Sequence, residues 1–143
     1  MVLLKINKLD YERMKHGELL GKYQNGNYEV RIYEDGTKIR ENDLDFLEAD
    51  FPESMDCKIT NKCPMGCPMC HEKSTPDGEH GDIMNAKFID KLRAGTEIAI
   101  GGGAVTGHPD LIPFLRKLKE RGVIPSITVH QNEFKKHYDL IQQ

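Results

Sequence analysis

The chain has 143 residues and a mass of 16.3 kDa, room for one domain of ordinary size and too little for a large multidomain enzyme. Hydrophobic residues make up 38% and charged residues 30%, mean hydropathy is -0.59, and no apolar run approaches the roughly 18 to 20 residues that cross a bilayer. The net charge of -3 resides in residues 1–50, whereas residues 51–143 are balanced, so neither part carries the basic footprint of a nucleic-acid binder.

The opening Met1-Val2-Leu3-Leu4 is interrupted by Lys5 before a secretory apolar region can form, which points to a cytoplasmic protein. Residues 10–20 read as a short helix ending at Gly21. Tyr28, Val30 and Ile32 then alternate with Glu29 and Arg31, and Asp35-Gly36 leads into Lys38-Ile39-Arg40. That pattern predicts a β-hairpin closed by a type I′ turn. Glu41, Asp43, Asp45, Glu48 and Asp50 follow with no basic residue among them, interleaved with Leu44, Phe46 and Leu47. We read this stretch as a solvated face with one apolar edge. Residues 1–53 thus form an accessory region with a β-hairpin.

From residue 54 the pattern changes to strands followed by amphipathic helices, which predicts parallel βα units. Residues 55–60 read as a strand, and residues 61–84 as a loop too long for a simple connector and rich in Gly, Pro, Asp and His. Asn85 is placed to cap a helix carrying Phe88, Ile89 and Leu92, with Met84 stapled to Ile89 and Gly95 at its end. Residues 97–100 form the second strand, followed by Gly101-Gly102-Gly103. Asp110 precedes a helix bearing Leu111, Phe114, Leu115 and Leu118, with Pro113 tolerated in its first turn and Gly122 closing it. Residues 124–130 form a third strand and residues 133–143 a last helix. The fold class predicted for residues 54–143 is α/β, with about three βα units and ligands gathering at the carboxyl ends of the parallel strands. Three loops leave that end: the cysteine loop, the glycine run, and His130-Gln131-Asn132.

The chemistry concentrates in the cysteines. All four, Cys57, Cys63, Cys67 and Cys70, lie in one short stretch, and without a secretion signal such a cluster is suited to metal rather than to disulfides. Thiols at this density select zinc or an iron–sulfur cluster. Three close thiolates leave one iron of a [4Fe–4S] cube without a protein ligand. Cys57 alternates along a strand and is read as a core residue. A closed zinc site on all four cysteines is the main alternative, which would make the chain a non-enzymatic structural or interaction module. A ferredoxin-type carrier would need a fourth cysteine at another spacing, and a Cys67–Cys70 dithiol would leave Cys63 unexplained. His71 adjoins the third cysteine, His80 and His108 read as loop or capping residues, and His130 and Asn132 end the third strand as candidate ligand contacts. Arg116, Lys117, Lys119 and Arg121 suit the last turns of a helix, where cations complement the dipole.

Cys63-Pro64-Met65-Gly66-Cys67-Pro68-Met69-Cys70 reproduces the CxxxCxxC motif, and over residues 55–132 the chain resembles the radical S-adenosylmethionine (radical SAM) enzymes. The resemblance implies a partial (βα)₆ barrel, of which this chain carries the amino-terminal half. It implies a [4Fe–4S] cluster on Cys63, Cys67 and Cys70. Gly101, Gly102 and Gly103 then stand where the family's glycine segment meets the methionine amino group of S-adenosylmethionine (SAM), and Met69 stands where an aromatic residue usually lies near the adenine. The implied activity is reductive cleavage of SAM to a 5′-deoxyadenosyl radical, with an external electron donor and a substrate these residues do not name. The family's glycine segment commonly ends in Glu, whereas Ala104 follows Gly103 here. The stretch from Cys57 onward suffices for about three βα units, so the reading expects a second polypeptide to complete the barrel, or a split or decayed gene product.

Overall fold

The computed structural model describes residues 7–142. The chain divides between Phe51 and Pro52 into two compact units. The first begins with helix α1 (Lys8–His16), capped by the Asn7 side chain, which accepts the Asp10 N–H at 2.9 Å. Gly17, at φ 82, ends it by returning its N–H to the Arg13 carbonyl. Strands β1 (Leu19–Asn25), β2 (Tyr28–Tyr33) and β3 (Lys38–Glu41) then form an antiparallel sheet in the order β1-β2-β3. The expected helix thus stops at His16 rather than continuing to residue 20, because β1 begins at Leu19 and pairs with β2.

The predicted hairpin of β2 and β3 forms, with Ile32 opposite Lys38. Its turn is not type I′, which needs positive φ at two residues; Gly36 has φ 85, while Asp35 is not among the positive-φ residues. Gly36 donates to the Tyr33 carbonyl and Tyr33 to the Thr37 carbonyl, giving a three-residue loop with glycine in the left-handed position. Among the described residues of this unit Tyr28, Val30 and Tyr33 are the buried apolar ones, joined by a polar network. The Tyr33 hydroxyl donates to buried Glu12, and Arg31 pairs with Glu12 and Glu41. Burial, followed by that carboxylate, pushes the Tyr33 phenol above its ordinary pKa.

The second unit holds β4 (Ser54–Thr60), β5 (Glu97–Gly102) and β6 (Ile124–Ile127), parallel and in that spatial order. Helix α2 (Leu111–Glu120) buries Leu111, Phe114 and Leu118, whose spacing puts them on one face. They join Ile59, Ile98 and Ile100 of the strands in one core. Short helices α3 (Gln131–Lys136) and α4 (Tyr138–Ile141) follow. The fold is a mixed α/β structure with one parallel and one antiparallel three-stranded sheet, and no closed barrel forms among the described residues.

Two elements differ from expectation. Residues 85–95 form a single 3₁₀ turn, Ile89–Lys91, rather than a helix. Asn85 turns its side-chain amide onto Asp82 instead of capping. Arg121 donates to the Asp90 and Leu92 carbonyls and Lys117 to that of Met84, so cations of α2 and its end supply backbone carbonyls of this segment with partners that it does not find within itself. The last helix is broken at His137, where φ is -115 and ψ 24.

The parallel strands alternate. Ser54, Asp56 and Lys58 are exposed, while Met55 and Cys57 are half-buried and Ile59 is buried; Ala99 and Ser126 are exposed on the neighbouring strands. A parallel sheet covered on both faces reads as continuous apolar runs. Here the core lies against one face, and the other presents polar side chains. Among the described residues no helix is long and apolar enough to cross a membrane.

Candidate functional site

Strand β4 runs directly into the cysteine loop, whose two limbs are tied to one another. Asn61 donates to the Glu79 carbonyl and Cys63 to the Thr75 carbonyl, both at 2.8 Å, and Thr75 returns its N–H to the Asn61 carbonyl at 3.1 Å. Gly78 is required there, because a Cβ would stand 2.1 Å from the Asn61 oxygen. Thr60 links both limbs: its hydroxyl accepts the Lys62 N–H at 3.0 Å and lies 2.9 Å from His80 Nδ1. The loop is an ordered lobe at the carboxyl end of β4.

Within it Cys63 and Cys70 are half-buried and Cys67 is exposed. Lys73, at φ 49, bends the chain just after Cys70. The backbone groups of Ser74, Glu72 and Lys73 bond to the Cys70 side chain and hold its thiol below the ordinary range. Hydrogen bonds donated to a thiol's sulfur favour its ionised form. Among the described residues no group of three or more His, Cys, Asp or Glu side chains is gathered as a metal site, so the thiols stand as separate groups on one loop. Their chemistry nevertheless fits a soft metal centre, with thiol donors only and one of them shifted toward easier ionisation. Met69 is 90% exposed on the same loop.

The glycine run ends β5 beside this loop. Gly103 donates to the Thr60 carbonyl at 2.8 Å and Ala104 to the Lys62 carbonyl at 2.9 Å. A Cβ on Gly102 or Gly103 would lie 2.3 Å from the Thr60 or Lys62 oxygen respectively, whereas Gly101 has open space around it. Two of the three glycines therefore seat the cysteine loop, and Gly101 leaves room for a ligand.

Gly101 and Gly102 line a cavity of about 460 Å³ over the polar face of the sheet, with Asp56, Lys58, Ala99, Thr128, His71 and Glu72. The Lys58 ammonium lies 2.7 Å from Glu72, and His71 Nε2 lies 3.2 Å from the same carboxylate. Lys58, the nearest cause, holds the Glu72 carboxyl below its ordinary range. Cys57 also lines the cavity while packing against the core, and burial raises its thiol. Sequence reasoning placed Cys57 in the core and missed Asp56, Lys58, Glu72 and Thr128. The alternation of Asp56 and Lys58 with apolar neighbours was the available signal for β4.

The remaining candidates have structural partners. His108 is buried, its Nε2 facing the Gly81 carbonyl at 2.9 Å while Nδ1 accepts the Asp110 N–H. His80 packs edge-on against it at 4.9 Å; burial, then His108 and Lys62, lowers the His80 pKa. His130 caps α3 by accepting the Asn132 N–H. Asp110 stands at the start of α2 without a side-chain capping bond. No family model, no curated protein and no solved structure matches the chain.

Proposed function

We propose that the chain is the amino-terminal half of a radical SAM enzyme, holding a [4Fe–4S] cluster on Cys63, Cys67 and Cys70 and binding SAM beside it. The supporting observation is one of placement. A CxxxCxxC loop leaves the carboxyl end of the first strand of a parallel sheet and is seated on a glycine run that ends the adjacent strand. When bound, the cluster and SAM supply reductive cleavage of a carbon–sulfur bond, the step the protein itself cannot perform. The chain's own tasks are to present three thiolates, to leave backbone room at Gly101, and to cover the adenine with the Met69 thioether.

The outer edge of β6, which pairs with no other strand among the described residues, and the polar face of the sheet support a second polypeptide that extends the half-barrel and shields it from water. An electron donor completes the system, in the cytoplasm, where thiols stay reduced. A zinc site on all four cysteines is less well supported, since Cys57 lies on β4 against the core rather than on the loop.

Anaerobic reconstitution tests the proposal. The expected product is a brown protein with about four irons whose EPR signal changes on adding SAM. C63A, C67A and C70A lose the iron and C57A keeps it. A colourless protein holding one zinc on four thiols, or a cluster whose spectrum ignores SAM, overturns it.

A further inference from the structure

Residues 63–70 hold three thiols and two thioethers, and no carboxylate, imidazole or hydroxyl side chain stands among them. A donor set made only of sulfur selects soft ions, Cu(I) prominent among them.

The three thiols of the loop are not equivalent. The Cys70 N–H donates to the Cys67 carbonyl at 3.1 Å, which closes a turn over Pro68 and Met69. Such a turn brings its first and last Cα atoms within about 7 Å of each other. Proline suits its second position, because the ring presets φ there, so Pro68 helps to hold the two cysteines together before any ion arrives. Cys63 lies outside the turn, and its N–H is bonded to the Thr75 carbonyl on the other limb of the loop. Among the described residues no group of three or more His, Cys, Asp or Glu side chains is gathered as a metal site. The unit that the backbone prepares is therefore a pair.

We infer that Cys67 and Cys70 form a two-thiolate site for Cu(I). Cu(I) has a filled d shell and is satisfied by two thiolates, whereas structural zinc takes four ligands. Binding releases one proton from each thiol, changes no oxidation state, and gives a centre with one net negative charge. The backbone groups of Ser74, Glu72 and Lys73, bonded to the Cys70 side chain, are placed to offset that charge. Cys67 is exposed, so a thiol on a donor or acceptor can reach the ion and exchange it. The site goes beyond the proposed function and does not rest on it, since Cys63 has no part in it. It does take two of the three sulfurs that the cluster would use, so the two metal centres exclude each other.

The test is an anaerobic titration of the full-length, reduced, metal-free chain with Cu(I) against the chromophoric chelator bathocuproine disulfonate. One Cu(I) per chain is expected to bind. C67A and C70A, shown folded by circular dichroism, are expected to weaken binding at least tenfold, and C63A and C57A to leave it unchanged. A chain loaded with one Cu(I) should then take up no iron until the copper is removed. The inference is overturned if the parent chain holds Cu(I) no better than C67A does, if C63A loses as much as C67A, or if iron is taken up with the copper retained. An EPR response to SAM in the copper-free, iron-loaded chain would leave the proposed function standing in that event. Cu(I) held by C63A would equally stand if no cluster formed.

Discussion

Gly103 lies against the backbone of Lys62 so closely that a Cβ would stand 2.3 Å from the Lys62 carbonyl oxygen. Gly102, at φ 109, stands in the same relation to Thr60. Both contacts are with backbone, which cannot swing aside as a long side chain can. G102A and G103A are therefore expected to destabilise the second unit by about 2 to 4 kcal/mol, and to displace the cysteine loop. G101A, with open space around it, is expected to leave stability within about 0.5 kcal/mol. Denaturant titration of the three variants checks the ranking. A G101A loss as large as that of G103A would contradict it.

Cys57 differs from the loop thiols in environment as well as in position. Burial raises its thiol above the ordinary range, and the thiolate is the reactive form. In the reduced, metal-free protein its alkylation by iodoacetamide should lag behind that of exposed Cys67. Its rate should keep rising at pH values where an unperturbed thiol has already levelled off. Peptide mass spectrometry after timed quenching reads both rates, and equal rates near neutral pH would show Cys57 to be openly accessible.

Much of the second unit is legible because its signals are local. Ile98 and Ile100 alternate with exposed neighbours to mark β5, and Leu111, Phe114 and Leu118 recur at helical spacing. The elements that escape are decided by partners far along the chain. Residues 85–95 have the pattern of a helix, yet Arg121 takes the Asp90 and Leu92 carbonyls from about thirty positions away, and Lys117 that of the preceding Met84. Strand β1 escapes because Leu19-Leu20-Gly21-Lys22 has no β-branched residue and no alternation, and it forms by backbone pairing with β2. The site divides the same way. The cysteine motif and glycine run are contiguous and visible, whereas Lys58 meets Glu72 only once the loop has folded back over β4.

The pair of Asp35 and His16 makes the first unit sensitive to acid. The hydrogen bond from the His16 ring, followed by the Thr37 N–H, lowers the Asp35 pKa from 3.8. A carboxyl with a depressed folded-state pKa contributes stability that is complete above its unfolded pKa and is lost as pH falls through the folded value. The D35N chain lacks this contribution but keeps a side-chain oxygen for the Thr37 N–H. The urea midpoint of the parent should therefore exceed that of D35N at pH 6, and the two should converge toward pH 2. Tyrosine fluorescence suits the measurement, since Tyr138 is the sole tyrosine beyond the first unit. A constant gap at all pH values would contradict it.

Glu133 is a buried carboxylate, 4% exposed, that ties α3 to the short turn Val105–Gly107. It accepts the Thr106 hydroxyl at 3.0 Å and lies 3.4 Å from His137 Nε2. T106V removes one hydrogen bond while keeping the shape, an expected cost of about 1 kcal/mol. E133A also leaves a cavity and removes the acceptor of the Thr106 hydroxyl, and is expected to cost about 2 to 3 kcal/mol. Amide exchange should rise in residues 131–136 before it rises in β5. Uniform acceleration across the second unit would mean that α3 is not separately held.

Asn25 makes the acidic stretch of residues 41–50 an ordered segment. Its side chain is fully buried and uses every bonding position of the amide: Oδ1 accepts the N–H groups of Asp50 and Phe51, and Nδ2 donates to the Phe51 carbonyl and the Tyr28 hydroxyl. Leu44, Phe46 and Leu47 nevertheless remain exposed, so apolar packing contributes little to holding the segment. Its order depends on such hydrogen bonds, with Asn27 adding one to the Glu48 N–H at 2.8 Å. N25L keeps the bulk but leaves buried backbone groups without partners, a cost of about 2 to 3 kcal/mol. The segment should open locally before the sheet unfolds. Chymotrypsin should then cleave at Phe46 and Leu47 at least tenfold faster in N25L than in the parent chain, while cleavage at Phe114 and Leu118 stays unchanged. Equal cleavage at Phe46 in the two proteins would show that Asn25 does not hold the segment.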